Sequence, residues 1–225
     1  RAAPARGRRD FHVHIVSAHR RFTDPHSSAF VSPEVVLIDV SRMDLGRVNA
    51  FKGKLWQAYK LDSSRYEHVW EYDLYVKLAE PALAVLHALG AADHNDQCVV
   101  LAHEFMGMPT ALAARLDPSP AFRSVFYAHE VSAMRRIVED HPGHDVTFYN
   151  ALSVAMEDGQ RLNDIFGSQD QYYRHALVRL SHHCDKVFAV GDDVAKELRF
   201  IGREFDNADI VVTYNGIPAE QITLD

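Results

Sequence analysis

The chain has 225 residues, of which 47% are hydrophobic and 24% are charged, a composition typical of a globular protein with a substantial core. Its formal net charge of -7 argues against a general binder of nucleic acid or anionic membrane, because clustered Lys and Arg hold those partners. No apolar run approaches the roughly 20 residues of a membrane span. Two cysteines, Cys98 and Cys184, make no disulfide framework and indicate a reducing, cytoplasmic compartment.

Strand and helix patterns alternate along the chain. Short apolar runs predict strands, and apolar stripes at helical spacing predict helices. The predicted strands lie at residues 11–18, 35–40, 98–102, 124–128, 186–190 and 210–214. The predicted helices lie at residues 44–70 with a break at 63–65, and at 73–89, 110–116, 132–141, 147–166, 169–183 and 192–201. Residues 19–33 are predicted to be a polar loop.

This alternation predicts an α/β fold with a doubly wound, mostly parallel, Rossmann-like sheet of five or six strands. The run VVLIDV at residues 35–40 is typical of a strand buried on both faces of such a sheet. Asp192 or Asp193 is expected to be the N-cap of the last helix, with the other as an acid in its first turn.

Both ends of the sequence predict segments outside this domain. Residues 1–10 are basic and rich in Ala, so we expect a disordered or trimmed lead. Asn215 and Gly216 follow the last predicted strand, at a place where a further structural unit would begin. We therefore expect one domain over residues 11–214 and the start of a linker over residues 215–225.

The organising stretch is Val99 to Arg136, in which two predicted strands each end in a His-Glu pair. These pairs are His103-Glu104 and His129-Glu130. Open parallel sheets bind ligands beyond the carboxyl ends of their strands, so both pairs should lie at one edge. The later strands end in Gly191-Asp192 and Asn215-Gly216, and this collection of small and polar groups predicts a binding cleft.

Several familiar site chemistries do not fit the spacing. Neither His-Glu pair has a second His three residues after the Glu, so the zinc-protease signature is absent. Adjacent helical residues in the run from His182 to Asp185 point about 100° apart, and we expect packing there rather than metal binding. The sequence contains no P-loop, no dinucleotide fingerprint and no Gly-x-Ser-x-Gly elbow. We expect no metal.

The most informative pair is His129 and Arg135, which stand six residues apart. A side chain in the first turns of the helix after the strand can lean back over the strand end. A neutral imidazole beside a guanidinium suits a sugar hydroxyl next to a phosphate.

From Pro33 to Pro218 the sequence resembles the glycogen synthases. The segments AHEF and FYAHEVSAMRR are similar to the family's two strand ends, in which a His is followed six residues later by Arg. The segments VVLIDVSRMDLGRVNAFKGKLW, VTFYNALSVAMEDGQRL, QYYRHALVRLSHHCDKVFAVGDDVAKEL and VVTYNGIP follow in the family's order.

The resemblance implies the amino-terminal half of a retaining glycosyltransferase of the two-Rossmann-domain GT-B type. Such an enzyme transfers glucose from a nucleotide-diphosphate glucose to an α-glucan, with no cofactor, and its missing carboxyl-terminal domain binds the donor. Carried over to this sequence, His129 would touch the transferred glucose and Arg135 would face the phosphates. His103, Glu104, Asn150 and Asn215 are the residues implied to bind substrate.

The sequence departs from the family at two places. The segment HIVSAHRRFTDPHSS contains no glycine, although the family has a glycine-rich loop after its first strand. Phe105 stands where the family has Trp.

Two alternatives stay open at this point. One is a related glycosyltransferase with a small sugar acceptor, of the sucrose- or trehalose-forming type. The other is a non-catalytic carbohydrate-binding half-domain. The sequence leaves open whether the donor base is uridine or adenine, and which oligomeric state the protein adopts.

Overall fold

The computed structural model describes residues 11–24, 28–92, 98–118, 121–140 and 145–216 of the chain. Its strands are β1 (His14–His19), β2 (Phe22–Thr23), β3 (Phe30–Val31), β4 (Glu34–Asp39), β5 (Cys98–His103), β6 (Phe122–Ala128), β7 (Lys186–Ala189) and β8 (Ile210–Val212). Its α-helices are α1 (Leu45–Tyr59), α2 (Trp70–Ala88), α3 (Glu104–Leu116), α4 (Ser132–Asp140), α5 (Asp145–Glu157), α6 (Leu162–Phe166), α7 (Tyr173–Arg179) and α8 (Asp192–Ile201). Short 3-10 helices lie at Ser63–Arg65, Leu180–His183 and Arg203–Phe205.

Four strands form one parallel sheet in the order β5-β6-β7-β8. The register pairs Val100 with Ser124 and Phe126 with Val187. Each neighbouring pair is joined by at least one helix, because parallel strands need a long crossover connection. The fold is therefore mixed α/β, with helices flanking a parallel sheet, and it is compatible with a Rossmann-like fold.

The two amino-terminal strands do not extend this sheet. β1 and β4 pair with each other antiparallel, with His14 opposite Asp39. The chain between them returns through a second small hairpin, β2 with β3, inside the segment predicted to be loop. No described helix joins β1 to β4, and without a helical crossover an antiparallel return is the simpler geometry. Among the described residues the parallel sheet thus has four strands rather than the expected five or six.

The prediction that residues 35–40 form a strand buried on both faces is wrong. Leu37 is 63% exposed, and the strand residues around it are exposed or half-buried. A continuous apolar run does not by itself specify which faces are covered, because the neighbouring elements decide that.

Helices cover one face of the edge strand β5, whereas the neighbouring strand β6 is buried on both faces at Val125 and Phe126. On β5, Val100 and Ala102 are buried, whereas Val99 and Leu101 are 58% and 53% exposed. On β6 the fully buried Phe126 belongs to the covered face. The second helical layer of a doubly wound sheet therefore stays a prediction.

Several helix ends differ from the sequence prediction. α3 begins at Glu104 rather than at Thr110, because the helix accommodates Gly107 and Pro109 in its first two turns. The N-cap of α8 is Gly191, and Asp192 and Asp193 both lie in the first turn.

Two predicted helical segments are also shorter or divided. The segment at residues 147–166 is two helices, α5 and α6, and Gly159 between them has a positive φ of 73°. The segment at residues 169–183 begins its α-helix only at Tyr173 and ends in a 3-10 turn.

The predicted ends of the chain lie mostly outside the described residues. These are the lead at residues 1–10 and the linker residues 217–225. Residue 141, the predicted end of the fourth helix, also lies outside them. Among the described helices, none combines the length and the apolar character needed to cross a bilayer.

Candidate functional site

The carboxyl ends of the parallel strands bring the predicted polar residues to one edge. β5 ends at His103, and β6 ends one residue before His129. Because the two strands are parallel and adjacent, with His103 opposite Tyr127, these side chains meet. The expected convergence of the two strand ends is therefore confirmed.

Three rings form the centre of this edge. Nε2 of His103 and Nε2 of His129 are 2.9 Å apart, and the two ring centroids are separated by 4.5 Å. A hydrogen bond at this distance requires one protonated and one unprotonated nitrogen, so a single proton lies between the rings. The Tyr127 ring lies 4.6 Å from that of His129 and 5.8 Å from that of His103.

Asn215 reaches the same cluster through Tyr127. The Tyr127 hydroxyl lies 3.1 Å from the carbonyl oxygen of Thr213 and 3.3 Å from the side-chain oxygen of Asn215. Asn215 is exposed, so its amide is accessible to a ligand beyond the strand end. Sequence reasoning missed Tyr127, although its place opposite His103 follows once the register is known.

Glu104 lies beneath the loop that carries His129. One oxygen, Oε1, accepts hydrogen bonds from the backbone N–H of His129 and, at 3.2 Å, from that of Glu130. The residue is 8% exposed and has a φ of 58°, a left-handed conformation that non-glycine residues adopt at a cost. Burial raises the pKa of its carboxyl, and the two N–H donors oppose that rise.

A cleft of about 340 Å³ opens beside the loop, and it contains both residues of the predicted pair. Its lining residues are His129, Glu130, Val131, Arg135, Val138, Tyr149, Val194 and Glu197. The Arg135 side chain is 63% exposed, and its Nε donates to Glu139 Oε1 at 2.9 Å. The structure therefore places an imidazole and an accessible guanidinium on one concave surface.

Asn150 stands apart from that surface. It lies on α5 and is exposed, but it is not among the described residues that line the cleft. Its neighbour Tyr149 lines the cleft instead. The Phe-Tyr-Asn segment thus presents its tyrosine to the site.

Glu197 is a further cleft residue that sequence reasoning missed. It is 6% exposed, and its Oε1 accepts a hydrogen bond of 2.5 Å from the Tyr149 hydroxyl. A signal was present in the sequence, because this acid lies three residues after Val194 and four before Ile201, on the apolar stripe of an amphipathic helix. An acid at a core-facing position of such a helix predicts either a buried partner or a site.

The His182–Asp185 run packs as the sequence predicts. The His182 and His183 ring centroids are 3.9 Å apart, and burial lowers the pKa of His183 to about 4. Burial also raises the pKa of the Cys184 thiol to about 12. No group of three or more His, Cys, Asp or Glu side chains within the described ranges is placed to hold a metal ion.

The cleft has more acidic than basic groups. Arg135 is its cation, and Glu130 and Glu197 line it together with His129. Such a surface favours a neutral, hydroxyl-bearing ligand, with one guanidinium available for a phosphate. No protein-family model matches the chain, and no curated protein matches it.

Proposed function

We propose that this chain is the amino-terminal domain of a retaining glycosyltransferase of GT-B architecture. The enzyme would transfer glucose from a nucleotide-diphosphate glucose to an α-glucan. The observation that carries the proposal is that His129 and Arg135 line the same cleft at the carboxyl edge of the parallel sheet. Ligands of open α/β sheets bind at this edge.

The role of Arg135 follows from the charge that develops in the reaction. When the bond between glucose and phosphate breaks, positive charge grows on the sugar and negative charge grows on the leaving diphosphate. A guanidinium near that phosphate lowers the barrier. Arg135 is paired with Glu139, but both side chains are more than 60% exposed, so exchanging this partner for a phosphate costs little.

His129 would contact the transferred glucose. Its Nε2 contacts His103, which leaves Nδ1 as the atom that would meet a sugar hydroxyl. The ring is held by its neighbours His103 and Tyr127, and its backbone N–H is held by Glu104. This support on three sides favours a fixed imidazole rather than a mobile one.

The remaining parts of the active site would come from a second domain. In the glycosyltransferases that this sequence resembles, that domain holds the nucleotide and an acidic residue near the anomeric carbon. The charge of the cleft supports this division, because Arg135 is the one cation among its lining residues and can meet one phosphate, whereas Glu130 and Glu197 suit the sugar, so the rest of the nucleotide diphosphate would need another surface.

The test is Arg135→Ala in the complete protein. We expect glucosyl transfer from labelled nucleotide-diphosphate glucose to malto-oligosaccharide to fall about 100-fold to 1000-fold, as for loss of one charge-stabilising donor. The thermal unfolding temperature should not change, because the Arg135–Glu139 pair is exposed.

Lys186→Ala is the matched control. Lys186 is also an exposed cation in an ion pair, with Asp209 at 2.9 Å, but it lies at the amino-terminal end of β7. This variant should retain full transfer. Near-native turnover of Arg135→Ala would contradict the proposed function.

A further inference from the structure

Glu197 enters the cleft from a different element than His129 and Arg135 do. It lies on α8, and its carboxyl accepts hydrogen bonds from the Tyr149 hydroxyl of α5 and from the backbone N–H of Val131. A buried acid that joins two helices and the loop after β6 is held in a fixed position.

The Glu197 carboxyl has capacity for a further hydrogen bond. A carboxylate offers about four lone-pair positions, and the contacts with Tyr149 and Val131 use two of them. The residue lines the cleft although it is only 6% exposed, so the cleft is its route to a ligand. A ligand hydroxyl is the group that such a carboxyl recognises, since a phosphate would be repelled.

The charge state of this carboxyl suits hydroxyl binding near neutral pH. Burial, together with nearby Asp193 and Glu130, raises its pKa to about 7, against the opposing hydrogen bonds from Tyr149 and Val131. Both protonation states are then populated at neutral pH. The ionised carboxylate accepts a hydrogen bond from a hydroxyl, and the neutral acid donates one.

We propose that Glu197 is a second sugar-binding residue of the cleft, and that its carboxyl hydrogen-bonds a hydroxyl of the glucosyl unit beside His129. This inference rests on the proposed function, because it assumes that the cleft takes a sugar. It adds the residue that orients that sugar from the α8 side. The positions of the hydroxyls on a hexose, relative to the Glu197 carboxyl, then help to determine which hexose the cleft accepts.

The test is a binding titration with methyl α-glucoside, a single glucosyl unit that has no titratable group of its own. The sugar is titrated by calorimetry into the wild-type chain and into Glu197→Gln at several values between roughly pH 5.5 and 8.5, to bracket a carboxyl that titrates near neutrality. We expect the wild-type affinity to change through about pH 7. Glu197→Gln should bind about tenfold more weakly and lose that change, as for loss of a hydrogen bond to a charged group.

Two further variants complete the experiment. Glu157→Gln is the control, because Glu157 is an exposed acid at the end of α5 and should leave both affinity and pH dependence unchanged. Tyr149→Phe removes a hydrogen bond that lowers the pKa of Glu197, so it should move the midpoint of the pH dependence upward. If Glu197→Gln does not fold, Tyr149→Phe tests the inference by itself, because an unchanged midpoint of the pH dependence would overturn it.

The other outcomes separate this inference from the proposed function. Equal affinity and an equal pH profile in Glu197→Gln would overturn the role of Glu197, while the transfer assay with Arg135→Ala still decides the proposed function. Failure of the wild-type chain to bind methyl α-glucoside would also overturn the role of Glu197. Loss of the pH dependence in Glu157→Gln would assign that pH dependence to Glu157 and would overturn the inference as well.

Discussion

At the scale of single residues, the site depends on carboxyls that hold backbone groups. Glu104 accepts two successive N–H groups of the loop that carries His129, and Glu197 accepts the next, from Val131. Those N–H groups precede α4, where unpaired donors would otherwise attract an anion. The protein occupies them with its own acids, so this loop presents side chains to the cleft.

Removing the Glu104 carboxyl should therefore destabilise the protein. Glu104→Ala leaves two N–H groups without their acceptor, and we expect the free energy of unfolding to fall by about 2 to 3 kcal/mol. Urea unfolding measures the change. Glu130→Ala removes an exposed acid from the same loop and should stay within about 0.5 kcal/mol of wild type. Equal effects of the two variants would show that Glu104 does not hold the loop.

His175 predicts how stability changes with pH. It is 2% exposed, and burial together with nearby Arg179 lowers its pKa to about 4. In the unfolded chain the pKa returns to about 6.5, so below that pH the unfolded state binds a proton that the folded state does not. The free energy of unfolding is therefore not reduced by this residue above about pH 6.5. As the pH falls from about 6.5 toward 4, protonation of His175 in the unfolded state lowers the free energy of unfolding by up to about 3 kcal/mol.

The measurement is the free energy of unfolding at pH 7 and at pH 4.5 for wild type and His175→Gln. The variant should lose less stability on acidification, because its side chain cannot take up the proton. His68→Gln changes an exposed histidine and should keep the full wild-type loss. A variant of His175 as acid-sensitive as wild type would refute the assignment.

At the scale of elements, the position of the site depends on close packing of α3 against β5. A Cβ built at Gly107 would lie 2.6 Å from the backbone Cα of Ala102, so only glycine allows the helix to approach the strand this closely. This contact places the start of α3, and with it Glu104, directly under the end of β5. The glycine that weakened the sequence signal for a helix is thus the residue that positions it.

Two glycine substitutions should therefore act in opposite directions. Gly107→Ala forces α3 away from β5, and we expect it to destabilise the protein by about 1 to 3 kcal/mol. Gly53→Ala in α1 meets no atom within 4 Å and should stabilise by up to about 1 kcal/mol, since alanine favours a helix interior. Thermal unfolding of both variants provides the comparison. A neutral Gly107→Ala would contradict the close approach.

At the scale of the whole molecule, the edge strand β5 of the parallel sheet has one covered face and one open face, whereas Val125 of β6 is buried on the same side as Leu101. The covered face includes Val100 and Phe126, and the open face includes Val99 and Leu101. Strand order follows sequence order, and right-handed crossovers between sequential parallel strands place their helices on the same side. The topology therefore accounts for the one-sided burial of β5.

Adjacent residues of β5 test this asymmetry. Val100→Thr buries a hydroxyl on the covered face and should lower the free energy of unfolding by about 1 to 3 kcal/mol. Leu101→Thr lies at a position that is 53% exposed, and its free energy of unfolding should stay within about 0.5 kcal/mol of wild type. Chemical denaturation of the two variants measures the difference. Comparable losses would mean that the face carrying Leu101 is also covered.

The sequence predicted the elements of this sheet better than their pairing. The runs that became β5, β6, β7 and β8 were recognisable because buried parallel strands are continuous and apolar. The antiparallel pairing of β1 with β4 was not predictable, since their apolar residues fit either arrangement. Likewise the two His-Glu pairs were visible as strand ends, whereas the position of Glu197 on an apolar helix stripe indicated burial but not the cleft that it lines.

The sequence alone determined the alternation of strands and helices, and the placement of His103 and His129 just beyond two strand ends, because local periodicity and turn residues encode both. Only the tertiary structure decided that their imidazoles touch, that Glu104 holds the loop from below, and that Glu197 reaches the same cleft as Arg135. These relations join residues 25 to 62 positions apart in the chain, and their geometry is set by strand register and helix packing rather than by any local pattern.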